Sequence, residues 1–252
     1  MTSNEQIKFL HMANRGVSNL TSAEQIVPYL LQYVNPKNVI DFGCAVGVWL
    51  LQFKKRGIKV HGIDGEWVRK YKKYISEDDI QYFDFESDNK LLFEEKYDLA
   101  LCLEMAEHIS SKKADKLIDT LTQSSDVIYF SAATPNSGGQ HHVNEQWQSF
   151  WKKKFMRRGF VLIDCIRPHV WHNKQVCYFY AQESFIYVKE DKLEKYPLLK
   201  KIYEEQHNCI IDIVHPELFS NQIAKPTHEW SYLFSLLRQV LYSMLRKILK
   251  KY

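Results

Sequence analysis

Several features are scarce in this chain, and each shortage closes a class of reading. Nine glycines and seven prolines in 252 residues are too few for a collagen-like or low-complexity polymer. No run of eighteen apolar residues is free of charge, so nothing reads as a membrane span. The opening MTSNEQIKFLHMANRG lacks the apolar core that a secretion signal needs. The five cysteines (Cys44, Cys102, Cys165, Cys177 and Cys209) include no Cys-x-x-Cys pair, which argues against a thiolate metal site or a disulfide framework. Odd in number, widely spaced and three of them in apolar runs, they fit a reduced cytoplasmic setting. An excess of one charge is missing too. Thirty-four basic and thirty acidic residues leave a net +4, well short of a dedicated nucleic-acid binder.

What is present describes a globular protein. Hydrophobic residues make up 45% and aromatics 14%, which argues against disorder. A chain of this length buries a full core without staples, as one domain or one domain with an appendage.

Short apolar runs occupy 38–42, 58–63, 80–85, 97–103, 126–132, 160–166 and 176–188. Helix-length segments at 47–56, 66–75 and 112–123 separate the early ones. That alternation predicts an α/β fold with a mostly parallel sheet covered on both faces. The last two runs are joined too closely for a crossover helix, so they are expected to pair antiparallel. Ahead of the sheet, 22–34 reads as an amphipathic helix capped by Ser22, with a kink at Pro28. Residues 143–160 read as a helix from Asn144 to Gly159, with Trp147, Phe150, Trp151 and Phe155 as core and the basic run 152–158 as a solvated face.

From 189 the pattern changes. Residues 191–206 look helical despite Pro197, 207–227 look irregular, and 229–251 form a long amphipathic helix. The expected organisation is an N-terminal segment 1–20 that can act as a lid, a domain over 21–188, and a C-terminal helical extension over 189–252. The polar side of 229–251 carries Arg238, Arg246, Lys247, Lys250 and Lys251, with no acid after Glu229. Such a helix packs on its own domain or on a sister subunit in a homodimer, or lies in a lipid headgroup layer as a peripheral anchor.

The chemistry centres on Val39-Ile40-Asp41-Phe42-Gly43-Cys44-Ala45-Val46-Gly47, a strand that runs through a glycine turn into a helix. That device brings backbone N–H groups against an anionic ligand, with Gly43 and Gly47 permitting close approach. The middle glycine of GxGxxG is absent and no Gly-Lys-Ser/Thr follows, so the pyrophosphate and phosphate-loop fingerprints do not match. The second strand ends at Asp64, where a carboxylate would meet a ribose diol. The third ends at Asp84-Phe85, where an acid and a ring could take an adenine. Both acids could equally be turn residues at strand ends.

On these residues the sequence resembles the class I S-adenosylmethionine (SAM)-dependent methyltransferases. DFGCAVG looks like their first motif, and YDLALCLEMAEHI is similar to their fourth-strand motif. The resemblance covers roughly 20–188 and implies a Rossmann-like seven-stranded, mostly parallel sheet with its last strand antiparallel. It makes Asp41, Gly43, Cys44, Gly47, Asp64, Asp84, Phe85 and Glu104 the cofactor-binding residues.

Glu104-Met105-Ala106-Glu107-His108 follows the fourth strand, and as a helical turn it would put Glu104, Glu107 and His108 on one face. The loop from Thr134 to His142 leaves the fifth strand on the same edge. Carboxylates with imidazoles suit Mg2+ or Mn2+ more than structural zinc. Glu104, Glu107, His108 and His142 are therefore the candidate metal ligands. His108, His142 and His141 are the candidate bases if no metal is held, and a purely structural cluster is the third option. The pattern is similar to two O-methylating branches. One is the ubiquinone-biosynthesis enzymes with an EMxEH turn, the other the small-RNA 3′-end enzymes with ExxEH and a TPN loop.

Three functions follow. The first is O-methylation of a small hydroxylated or glycan acceptor, supported by an HVNEQW segment like those in methyltransferases of bacterial surface-polysaccharide pathways. The second is 2′-O-methylation of an RNA 3′ end, disfavoured by the mild charge. The third is a non-catalytic SAM-binding or assembly protein.

Overall fold

The computed structural model describes residues 3–206 and 209–224, with side chains over 18–206 and 209–221. Contacts divide the chain into two compact units, Met1–His215 and Pro216–Tyr252. In the first, the elements run α1 (Ser3–Tyr33), β1 (Asn38–Phe42), α2 (Val48–Lys54), β2 (Lys59–Asp64), β3 (Ile80–Tyr82), β4 (Leu99–Leu103), α3 (Ala114–Ser124), β5 (Val127–Ser131), α4 (Gln148–Met156), β6 (Phe160–Ile163), α5 (Arg167–Val170), α6 (Tyr178–Glu183), β7 (Phe185–Lys189) and α7 (Pro197–Glu205). The second contains α8 (Pro216–Ala224).

The seven strands form one sheet in the order β3-β2-β1-β4-β5-β7-β6. β1 pairs parallel with β2 and β4, as in Val39↔Val60 and Val39↔Leu99. β7 runs antiparallel to both neighbours, as in Phe130↔Phe185 and Leu162↔Tyr187. The antiparallel pairing expected for the last two runs holds. β4 and β5 are buried at every position, which is why they read as unbroken apolar runs rather than as alternations. One face packs Ile26, Leu30, Leu50 and Phe53 from α1 and α2. The other packs Leu117, Ile118, Trp151 and Phe155 from α3 and α4, with Phe155 stacked on Tyr187 at 3.9 Å. Each fully buried side chain of this size contributes ~2 kcal/mol by transfer. Strand order reverses between β1 and β4, and the crevice at their carboxyl ends is where such sheets hold ligands.

Several local expectations change. Ser22 does not cap a helix, because α1 begins far upstream and is continuous across residue 20. Its hydroxyl donates to the Ser18 carbonyl at 2.9 Å and accepts the Cys177 N–H at 3.0 Å, tying α1 to the segment before α6. Residues 66–75 form only a single turn of 3-10 helix, Glu66–Val68. Val68 and Ile75 are buried while Trp67 and Tyr74 are exposed, so no apolar stripe exists to hold a longer helix. The run 176–188 is helix α6 followed by β7, not one strand.

α4 starts at Gln148, and the segment before it is tied down by the Val143 and Asn144 N–H groups, which both donate to the Glu107 carbonyl. Of the four aromatics assigned to its core face, Trp151 and Phe155 are buried and Trp147 is exposed. In the basic run, Lys154 is buried against Asp115 at 2.7 Å. Residues 189–215 fall in the first compact unit, with Leu193 and Leu199 in its core. Pro197 opens α7, a position where its missing N–H costs nothing. The helix expected at 229–251, with its subunit or lipid contact, lies outside the described residues. No helix among the described residues is long and apolar enough to cross a membrane.

Candidate active site

The carboxyl edge of β1 and β2 holds the glycine turn. Gly43 (φ +79°) and Gly47 (φ +81°) are left-handed, and a Cβ on either would strike the side chain of Met105 or Ile75. Glycine is therefore needed here for backbone conformation and protein packing, which the ligand-approach argument had missed. The turn's own N–H groups are largely committed. Gly43 and Cys44 donate to the Ile63 carbonyl at 2.8 and 3.2 Å, and Gly47 to the Cys44 carbonyl at 2.8 Å. Beyond them α2 begins at Val48, and its first-turn N–H groups have no partner inside the helix.

Asp64 is the centre of this end. Its Oδ2 accepts the Ala45 N–H and its Oδ1 the Gly65 N–H, each at 2.7 Å. Burial pushes its carboxyl up to about 6, against the lowering pull of those two N–H bonds and of the Trp67 side chain. Asp41, buried in β1, is pushed well above the usual carboxylate range by burial and then by the Asp64 charge. Burial likewise raises the Cys44 thiol well above its ordinary value, which leaves it an unreactive core thiol. All five cysteines are free. The third acid stands apart: Asp84 is exposed and its Oδ1 accepts the Glu86 N–H at 2.9 Å in a local turn. Phe85 packs edge-on against Phe42 and Phe83, at 6.3 and 5.2 Å between centroids.

The second half of the edge lies at β4, β5 and the start of β7. Glu104 follows β4 at φ +51°, which breaks the helical turn expected for 104–108. Only Ala106–His108 form a 3-10 turn. The i, i+3, i+4 argument for Glu104, Glu107 and His108 therefore fails. The side chains converge all the same, because the chain reverses through Glu104 and the 134–145 loop folds back over them.

Glu104, Glu107, His108, His142, Tyr178 and Glu183 all line one cavity of about 100 Å3. Glu107 is 1% exposed and its Oε2 has no partner among the described residues. Burial, then the Glu104 charge, holds its carboxyl well above the usual range.

His142 lies with Nε2 4.0 Å from Glu107 Oε1 and Nδ1 2.8 Å from Glu145 Oε1. His108 donates from Nδ1 to the His141 carbonyl at 3.2 Å. A carbonyl only accepts, so the His108 bond places a proton on Nδ1, and the Glu145 carboxylate favours the same Nδ1–H on His142. The rings meet edge to face at 4.8 Å. One ligand atom each from Glu107, His108 and His142 lies within 4.8 Å of the other two, a group that can hold an ion. Glu104 lines the cavity but stands outside that set. His141 is exposed at φ +62° and contributes its carbonyl rather than its ring.

Two residues escaped sequence reasoning. Glu145 accepts the Asn136 and Gly138 N–H groups at 2.8 and 2.9 Å besides holding His142, so one carboxylate shapes the loop and orients the ring. Glu183, the last residue of α6, is fully buried beneath Thr134. The signal for it was the polar triplet Gln182-Glu183-Ser184 inside the otherwise apolar run 176–188. Glu145 had none beyond its place in the HVNEQW segment.

A family model described as a methyltransferase domain matches residues 18–185. The fold is similar to that of DesVI from Streptomyces venezuelae, with a TM-score of 0.54 at 9% identity, over 75% of this chain and 99% of that one. The plantazolicin methyltransferase BpumL in complex with SAH gives 0.50 at 15% identity, over 75% and 91%. Magnesium protoporphyrin IX methyltransferase from Synechocystis PCC 6803 with bound SAM gives 0.46 at 18% identity, over 69% and 80%. No curated protein matches the chain.

Proposed function

This chain belongs to the methyltransferase-domain family, and on that premise we propose that it is a SAM-dependent methyltransferase acting on a hydroxyl of a small acceptor, such as a sugar or polysaccharide precursor. One observation carries the reading. The Gly43–Gly47 turn with Asp64 lies on the same sheet edge as a cavity lined by an imidazole that Glu145 holds.

The residues at the first end fit the cofactor. A carboxylate offers about four lone-pair sites, so Asp64 can accept two ribose hydroxyls beyond its two N–H bonds. The open N–H groups at the start of α2 suit a carboxylate. When bound, SAM supplies a methyl group already activated by its sulfonium. The protein's task is then to place a nucleophile in line and to take its proton.

At the second end His142 is built for that proton. Glu145 fixes its Nδ1, and Nε2 is left to accept a hydroxyl proton from an acceptor in the cavity. The same cluster fits a divalent ion, because Glu107 Oε2 is buried with no partner among the described residues and one ligand atom each of Glu107, His108 and His142 lies within 4.8 Å of the other two. Glu107, His108 and His142 would hold the ion in place of His142 acting as base, since one Nε2 cannot do both; the ion would lower the pKa of a bound hydroxyl, whose proton would pass to solvent. Two imidazoles with one carboxylate favour Mn2+ over Mg2+.

The test is transfer of labelled methyl groups from SAM into saccharide and nucleotide-sugar extracts and into pooled RNA, each before and after chelation. Label in the saccharide fraction, reduced by chelation and restored by Mn2+, is expected. Label in RNA alone would replace this reading with 2′-O-methylation of RNA ends. If neither SAM nor SAH raises the melting temperature, the protein is a non-catalytic scaffold.

A further inference from the structure

One wall of the cavity has no part in the proton transfer just described. Glu183 is fully buried, and its Oε1 accepts three hydrogen bonds: the Thr134 N–H at 3.0 Å, the Thr134 hydroxyl at 3.1 Å and the Gln182 amide at 2.8 Å. These fix the carboxyl group. Its Oε2 is buried with no partner among the described residues, and the residue lines the cavity.

The lining contains three carboxyl groups, Glu104, Glu107 and Glu183, and neither a lysine nor an arginine among the described residues. The same cavity is lined by the aromatic residues Tyr178, Phe179 and Tyr180, which precede Glu183 in α6. A buried carboxylate is tolerated when a cation reaches it, and aromatic faces attract the same charge. A hydroxyl would satisfy the hydrogen bond at Oε2 but would leave the charge uncompensated. An ammonium does both.

Position separates this place from the other two ligands of the site. Among the described residues, Glu183 stands outside the set of Glu107, His108 and His142 that could hold an ion. It directly precedes β7, which lies three strands from β1 in the sheet order. At about 4.8 Å per strand this puts it well away from the glycine turn.

We propose that Glu183, with the rings of Tyr178 and Phe179, is an ammonium-binding subsite, so that the acceptor carries a protonated amine beside the hydroxyl that is methylated. The word acceptor rests on the methyltransferase reading; the binding of an amine does not.

The probes are ethanolamine and ethylene glycol, nearly equal in size and small enough for the cavity, titrated into the full-length protein by saturation-transfer NMR. Ethanolamine should bind at least about tenfold more tightly than the glycol, the scale of one desolvated cation contact. Glu183→Gln should erase that preference. Because Glu183 also anchors Thr134, the wild-type selectivity stands as a readout that needs no variant. Tyr178→Leu, which leaves the Thr134 bonds alone, should weaken ethanolamine about threefold or more.

Equal binding of the two probes, or binding of neither, overturns the proposal. So does displacement of ethanolamine by saturating SAH, since the amine would then occupy the cofactor's own pocket. Stabilisation of the protein by SAH is measured separately. Its absence with amine selectivity intact would remove the methyltransferase reading and keep the subsite.

Discussion

The two halves of the sheet's carboxyl edge are built on opposite plans. At β1 and β2 the polar groups satisfy one another: Asp64 takes N–H bonds from Ala45 and Gly65, and the glycine turn bonds to Ile63 and to itself. At β4, β5 and β7 they do not. Glu107 and Glu183 each keep a buried oxygen without a partner among the described residues, and their charges oppose one another and that of Glu104. In the first half Asp41 and Asp64 also oppose one another in charge, but both Asp64 oxygens hold N–H donors before any ligand arrives. The second half stores an electrostatic cost that a bound cation, proton or acceptor relieves. Binding machinery and reacting machinery are thus distinguished by satisfaction rather than by residue type.

The strongest way to break this contrast is Glu107→Gln. Burial, then Glu104, holds the Glu107 carboxyl well above its ordinary value. A carboxyl raised on folding keeps its proton longer in the native state, so its contribution to stability is lost as pH rises from the unfolded value towards the folded one. At neutral pH the wild type bears that cost and the glutamine variant does not. Methyl transfer should fall by on the order of 10³, the scale of a lost general-base or metal-ligand function. The melting temperature at pH 7 should rise. A variant that is both inactive and less stable would mean that the carboxylate is already compensated, and the contrast would fail.

Next comes Asp64→Asn, at the satisfied end. Two hydroxyl bonds to a charged acceptor are each worth ~1.5–3 kcal/mol, and part of that survives with an amide, so SAH affinity should drop about 10- to 100-fold. The pH profile sharpens the case. The Asp64 carboxyl is raised from 3.8 to about 6. Between those values the native protein holds a proton that the unfolded chain has released, so the stability of the unliganded protein declines as pH rises. SAH affinity moves the other way and is lost as pH falls through about 6. Calorimetric titrations from pH 5 to 8 should show that loss in the wild type and a flat profile in the variant. A wild-type profile without a break near 6 would separate Asp64 from the ribose.

The same contrast explains what the sequence disclosed. The satisfied half is contiguous: Asp41 to Gly47 forms one motif, and Asp64 ends the next strand. Its bonds are local or between neighbouring strands, so strand runs and glycines suffice to find it. The unsatisfied half draws on four separated segments, at 104–108, 134–145, 178–183 and α1 through Asn19. Glu104, Glu107, His108 and His142 were found by motif, yet the reason offered, a helical turn, was wrong because Glu104 adopts positive φ. Glu183 was hidden by reading 176–188 as one strand, where a buried acid has no place to look for partners. The helix at 66–75 failed for a related reason, since periodicity cannot reveal that Trp67 turns towards Asp64 instead of the core.

The smallest expected effect lies at the hinge between the two plans. Glu145 is satisfied, by Asn136 and Gly138, but it serves the unsatisfied half by holding His142. Glu145→Gln keeps one oxygen, which in the Oε1 place can still accept from Gly138 and the His142 ring, while losing the Asn136 bond and the charge that fixes the imidazole. Turnover should fall about tenfold with the KM for acceptor nearly unchanged, the range typical of losing a partner that orients a catalytic or ligating histidine. Glu145→Ala also releases Asn136 and Gly138, so KM should rise together with the loss in turnover. If both variants raise KM alone, Glu145 only shapes the loop and His142 is oriented by something else. If the glutamine variant matches the wild type, His142 needs no fixed tautomer, and the proton must leave the acceptor by another group.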